Sequence, residues 1–349
     1  MSRWMIVSAI AVVVLIGLAV WLYAGDKSES ALAPTYLRSP SDFVEVAGLR
    51  LHLRDDGPKD APAVIFLHGF GASLHTWEPW ATSLAGSLRV IRIDLPGFGL
   101  TGPDPTGDYG DERSVAVLTA LMDKLDVAKA SIVGNSIGGR IAWKFAAAQP
   151  TRVDKLVLIS PDGFASPGFE YGKPPEVSAV MGLMRYSMPS FMVRMSMEPA
   201  YGDPKFMTPP LVERYRDMML ATGVRGAMLA RMTQWVLVPP EPYLQSISAP
   251  TLLMWGEKDG MIPFANSQDY LRVMKNAKLV SYPRLGHLPQ EEGPRRNDRR
   301  AARVPHCKHA RPSTRTKRKG LKTPLIPALR RSQDRPGSCP GRYPSFVIR

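Results

Sequence analysis

SIVGNSIGGRIAWKFA, residues 131–146, places one serine between two glycines where an apolar run passes into a helical one. Up to Asn135 the residues are β-branched and apolar, which reads as a short buried strand; from Ile137 apolar positions recur at helical spacing among alanines until Pro150. Strand, serine, helix is the arrangement of a nucleophile elbow. In Gly134-Asn135-Ser136-Ile137-Gly138 the glycines admit close backbone approach, and the free N–H groups of the helix start face developing negative charge. The same pattern also serves as a plain turn with Ser136 as helix cap. The rest of the chain must therefore supply a base, an acid to orient it, and donors for an oxyanion.

Outward from this stretch the chain alternates. FVEVAGLRLHLRD (43–55) reads as a hairpin about Ala47-Gly48. AVIFLHGFG (63–71), RVIRIDLPGFG (89–99), the opening stretch and KLVLISPDG (155–163) each read as a buried strand ending in a loop, with the helical run ERSVAVLTALMDKL (112–125) between them. Continuous apolar strands alternating with helices indicate an α/β fold with a mostly parallel sheet covered on both faces. The rhythm lapses over residues 165–248, which hold 11 of the 17 methionines in Pro-bounded helical pieces, and resumes with APTLLMWGEKDG (249–260) and AKLVSYPRLGH (277–287). An insertion of that length is too long for an ordinary loop and is expected to be a helical cap. Most of its methionines are expected to pack the cap's own core. Residues 41–164 and 249–293 then form the core.

The two ends differ from this body. Met5–Tyr23 carries no charge and as a helix is about 28 Å long, near the ~30 Å hydrocarbon core of a bilayer. Residues 1–40 are therefore expected to be a membrane anchor and linker. Trp4, Trp21 and Tyr23 sit near the segment's ends, and Arg3 before it with Asp26 and Glu29 after it place the enzyme outside the cytoplasm, Lys27 notwithstanding. A cleavable signal peptide ending at Ala31-Leu32-Ala33, giving a secreted protein, is the alternative. At the other end, residues 294–349 contain 17 Lys and Arg against two Asp, so the formal charge of +14 belongs to the tail and the preceding 293 residues carry −1. Both cysteines lie in the tail, which excludes a catalytic cysteine or a disulfide framework in the body. The tail's abrupt onset, the six prolines between Arg311 and Arg349, and the lack of an apolar face suggest a disordered stretch translated out of frame rather than a basic arm, and no nucleic-acid partner is expected.

Among the body's four histidines, His52 falls within the hairpin, His68 in a glycine-rich loop and His75 in a polar stretch, whereas His287 ends the last strand beside Gly286. His287 is the candidate base. Asp259, Glu257 and Asp162 all end strands and compete for the acid, and Asp94 is read as fixing its own loop.

Together LHGFGAS, DLPGFG, GNSIGG, PTLLMWGEKDGMIP and GHLPQEE resemble the α/β-hydrolase superfamily, specifically its capped serine esterase and lipase branch near the meta-cleavage-product hydrolases, over residues 43–292. The resemblance implies Ser136 as nucleophile, His287 as base and Asp259 as acid, with backbone N–H groups of Phe70 and Ile137 as oxyanion donors. It implies neither cofactor nor metal. A serine at position 136 argues against dehalogenases and epoxide hydrolases of this fold, which attack with aspartate. The expected activity is hydrolysis of a small-molecule or lipid carboxylic ester through an acyl-enzyme. Hydrolysis of a carbon–carbon bond in a vinylogous diketone, and a non-catalytic binding module, are the alternatives.

Overall fold

The computed structural model describes residues 3–166 and 170–293. Eight strands form one sheet: β1 Phe43–Val46, β2 Leu49–Asp56, β3 Ala63–Leu67, β4 Arg89–Ile93, β5 Ala130–Asn135, β6 Val153–Ile159, β7 Thr251–Gly256 and β8 Ala277–Tyr282. Their spatial order is β1-β2-β4-β3-β5-β6-β7-β8. The β1–β2 hairpin and its β2–β4 pairing are antiparallel, and every later pairing is parallel. From β3 the chain steps outward to β4, then crosses back to place β5 on the other side of β3. Such a reversal opens a crevice at the strands' carboxyl ends, where open α/β sheets bind ligands. The loops 68–71 and 135–138 leave β3 and β5 at that point.

The helices are α1 Arg3–Leu22, α2 Glu29–Tyr36, α3 Glu78–Leu84, α4 Asp111–Lys124, α5 Ile137–Ala148, α6 Ala179–Gly182, α7 Ser190–Met197, α8 Pro209–Leu220, α9 Val224–Gln234, α10 Glu241–Ser246, α11 Asn266–Val273 and α12 Pro289–Glu292. In α4 the acids Asp111 and Glu112 occupy the first turn and Lys124 the last, matching the helix dipole, while Val117, Leu118, Leu121 and Met122 form the buried stripe. That stripe packs with Ile141 and Phe145 of α5 on one sheet face, against Ile65, Ile91, Ile132 and Leu156. Alternate residues Val64, Phe66, Val90 and Val133 point to the other face and meet Ala81 and Leu84 of α3 with Trp77. Between β6 and β7 the described chain carries no strand and runs through α6 to α10.

The N-terminal expectation is corrected. No helix among the described residues is long and apolar enough to cross a membrane. Charged Arg3 lies inside the first turn of α1 rather than ahead of it, and the helix closes at Leu22, leaving Tyr23 outside. Immediately beyond, the chain is fixed to the body, with Ala24 N–H donating to Tyr186 O and Lys27 N–H to Leu220 O. The spanning anchor, the membrane as a partner, and the placement of the enzyme outside the cytoplasm or in secreted form lose their basis with it. The supposed linker contains α2, in which Leu32 and Tyr36 are buried. The tail reading, residues 294–349, lies outside the described residues.

Candidate active site

β5 ends at Asn135, and Ser136 turns the chain into α5 with φ 55° and ψ −121°. A positive φ at a non-glycine residue costs on the order of 1–2 kcal/mol, so the surroundings must hold it. Ser136 N–H donates to Ile159 O, while Ser136 O accepts from the N–H groups of Arg140 and Asp162. The flanking glycines are obligatory: a Cβ on Gly134 would lie 2.2 Å from Gly138 O, and one on Gly138 2.3 Å from Leu67 O. Packed this tightly, the turn presents the half-buried Ser136 side chain at the crevice.

Of the three candidate acids, Asp259 meets the base, its Oδ2 lying 2.8 Å from His287 Nδ1. Its Oδ1 accepts from the N–H groups of Met261 and Ile262, both at 2.8 Å, so the carboxylate is held at both ends. Burial pushes the Asp259 carboxyl up, but His287 and the Ile262 N–H outweigh it and hold the group below the usual carboxylate range. Glu257 instead accepts from Ser281 Oγ at 2.8 Å, and Asp162 accepts from Trp235 Nε1 at 3.0 Å. His287 and Ser136 are joined through Asn135, whose Nδ2 donates to His287 O at 3.0 Å and Ile159 O at 3.1 Å. The sequence reading gave Asn135 no role.

The loop after β3 closes over the serine. A Cβ on Gly69 would come within 3.2 Å of Ser136 Cβ, which puts neighbouring Phe70 beside the nucleophile candidate. Ile137 begins α5, so its N–H has no intrahelical acceptor. His68 is locked, Nδ1 donating to Gly69 O at 2.7 Å and Nε2 accepting from Leu95 N–H at 2.9 Å. Beneath it Asp94, fully buried, accepts from Leu74 N–H, Leu100 N–H and His52 Nδ1 at 2.7–2.8 Å, tying the loops after β3 and β4 together. Burial opposes ionisation of Asp94, but His52 more than offsets it and keeps the carboxyl well below its ordinary range. His52, in the hairpin, and His75, in a stretch that reads as polar, are thus interior residues.

Asp162 braces the elbow from behind. Besides Trp235, its carboxylate faces Arg140 Nη1 at 3.6 Å, and Arg140 is paired more closely with Asp111 at 2.7 Å. Burial dominates and pushes Asp162 up to about 6 from 3.8. Because the folded value exceeds the unfolded one, its stabilisation is complete below about pH 4 and is lost as pH rises through 6. Relative to Asp162→Asn, the wild type should lose ~2 kcal/mol of unfolding free energy between pH 4 and pH 7. Urea titrations at the two pH values check this, and equal losses in both proteins would refute it.

Helices α8 and α9 roof the loop after β3. A Cβ on Gly71 would meet Met219 Cε at 2.8 Å and Met228 Cε at 3.8 Å, so these two methionines face the crevice loop. Further along α9, Arg231 is buried, with its guanidinium carbon 5.5 Å from the Phe98 ring and 5.6 Å from the Tyr109 ring. The Phe98 ring stands edge-on to Phe70 at 5.4 Å. Among the described residues six arginines are buried, and Arg54, Arg89, Arg92, Arg140 and Arg225 each pair with a carboxylate; Arg231 does not. It makes a 3.4 Å contact to Pro96 O and its Nε is unpartnered. Burial outweighs the nearby Asp111 carboxylate and lowers its pKa to about 10.

Residues 62–294 match the family described as the alpha/beta hydrolase fold. The chain belongs to that family. It is 31% identical over 254 residues to a 2-hydroxy-6-oxononadienedioate/2-hydroxy-6-oxononatrienedioate hydrolase of Cupriavidus pinatubonensis, spanning 70% of this chain and 86% of that protein. A meta-cleavage product hydrolase from Pseudomonas fluorescens superposes with a TM-score of 0.62 at 25% identity, over 72% of this chain and 93% of that one. A membrane phospholipase A shares the fold, with a TM-score of 0.63 at 22% identity over 84% and 94% of the two chains. This α/β-hydrolase therefore stands close to the meta-cleavage-product hydrolases, as the sequence motifs implied.

Proposed function

We propose that this α/β-hydrolase cleaves the carbon–carbon bond beside a ketone in a carboxylate-bearing dienoate, with Ser136 as nucleophile, His287 as base and Asp259 as its orienting acid. Ser136 Oγ attacks the ketone carbon as His287 Nε2 takes its proton. The oxyanion is received by the N–H groups of Phe70 and Ile137. Collapse breaks the carbon–carbon bond, the leaving carbanion takes the proton held by His287, and water activated by the neutral His287 then releases the acyl group from Ser136. The helical insertion acts as a cap that keeps bulk water from this sequence. Ester hydrolysis, the first expectation from sequence, yields to the carbon–carbon alternative because the relative's named substrate is a dioate.

Arg231 carries this choice. A buried guanidinium without a carboxylate, one aromatic ring from the oxyanion loop, suits a substrate that brings its own carboxylate. A neutral acyl ester leaves that guanidinium without a directly paired carboxylate. Losing a charge-assisted hydrogen bond costs about 1.5–3 kcal/mol, so Arg231→Met should lower kcat/KM for a 2-hydroxy-6-oxo dienoate about 10- to 100-fold. Turnover of nitrophenyl butyrate should change less than about threefold, since it presents no anion to the site. Equal effects on both substrates would remove the carboxylate assignment, and wild-type turnover of the ester alone would restore esterase as the activity.

A further inference from the structure

The loop that carries His287 is stitched to the insertion by two adjacent carboxylates, with separate tasks. Glu292 Oε1 accepts from Gly286 N–H at 2.8 Å, the residue immediately before the base. Its Oε2 accepts from Gly202 N–H at 2.8 Å and Asp203 N–H at 3.4 Å, both in the insertion. The strap that these two residues belong to lies across the acid and base loops together: Gly260 N–H donates to Pro199 O at 3.1 Å, and His287 N–H to Ala200 O at 2.7 Å. There is no slack at this crossing, because a Cβ on Gly286 would lie 2.5 Å from Ala200 O. Glu291 makes no contact of this kind with the base loop. Its carboxylate accepts from Tyr201 OH at 2.6 Å, Tyr215 OH at 3.2 Å and the Arg214 guanidinium, all in the insertion.

We propose that Glu292 is a positioning residue for His287, fixing the base loop against the insertion so that the imidazole addresses Ser136, whereas Glu291 holds only the insertion. The assignment rests on Ser136 and His287 acting as nucleophile and base. Both Glu292 oxygens receive N–H donors, so an amide at this position sets an NH₂ group against a backbone N–H on one side, and the loop must shift. Proton transfer from serine depends on sub-ångström placement of the imidazole, so this shift appears in nucleophile activation before it appears in stability.

The test measures the rate at which a fluorophosphonate labels the full chain, which reads serine activation without requiring the natural substrate. Glu292→Gln should slow labelling at least about tenfold, and Glu291→Gln less than about threefold, at comparable thermal midpoints. For nitrophenyl butyrate the loss in Glu292→Gln should fall on kcat with KM little changed. If both variants slow labelling in step with their loss of thermal stability, Glu292 is merely structural and the proposal is overturned; labelling of Glu292→Gln at the wild-type rate overturns it equally. Should the glutamine variant fail to fold, Glu292→Asp retains the charge but shortens its reach, and must still label several-fold more slowly for the proposal to stand. Undiminished labelling of Ser136→Ala would instead show that the nucleophile assignment itself is wrong.

Discussion

Ser136→Ala is expected to lower turnover of any substrate by about 10⁴-fold or more and to abolish fluorophosphonate labelling, since no remaining group can form the covalent intermediate. The residual rate comes from binding and the oxyanion donors alone. Folding should survive, because the hydrogen bonds that fix the turn run through the backbone N–H and C=O of residue 136 rather than its hydroxyl. The positive φ of 55° sharpens the expectation further. Glycine adopts that conformation freely, so Ser136→Gly should be as inactive as the alanine variant yet more stable by ~1 kcal/mol. Thermal midpoints and labelling of the two variants together separate strain held for catalysis from strain without purpose. Retained turnover in Ser136→Ala would end the nucleophile assignment and favour a binding module.

Asp259→Asn should reduce kcat by about 10⁴-fold while barely disturbing the fold. The reason lies in how the carboxylate is held. The N–H groups of Met261 and Ile262 both donate to Oδ1, so the asparagine oxygen takes that place and its NH₂ group replaces Oδ2 opposite His287 Nδ1. An amide donor there requires Nδ1 to accept, which puts the ring proton on Nε2, the nitrogen that must receive the serine proton. The base is blocked by its tautomer. Asp162→Asn, by contrast, should keep activity within an order of magnitude at pH 7. A reversal of these two results would transfer the acid role to Asp162, in the loop after β6.

The parallel sheet was legible because its strands are short, apolar and closed by glycine-rich loops, and the β1–β2 hairpin because alternation flanks Ala47-Gly48. Ser136 and His287 could be placed at strand ends for the same reason. The choice of Asp259 over Asp162 could not be made from spacing, since each lies in the loop that follows a strand; the distinction lies in which carboxylate the folded loops bring to His287. Buried polar groups were least readable. His52 stands in a hairpin and Arg231 in the insertion, where sequence gives no sign of burial, and each is buried by contacts distant in the chain. Glu292 stood in the GHLPQEE motif, but its acceptor role depends on Gly202 and Asp203, some ninety residues earlier. The N-terminal segment was misread in the opposite sense, because a count of apolar residues does not show where a helix starts and stops.

The docking of the chain after α1 gives the roof a second foundation. Asp26 accepts the N–H of Gly223 and pairs with Arg225, while the Lys27 ammonium and Tyr36 hydroxyl share the carboxylate of Asp217. These contacts grip α8 and the start of α9, the helices whose methionines face the loop after β3. Residues 24–36 thus act as a tendon that ties α1 to the ceiling of the crevice. A shortened protein that begins beyond Tyr36 severs that tendon and leaves Asp217 and Arg225 as unmatched charges, whereas one that begins just ahead of Ala24 keeps it whole.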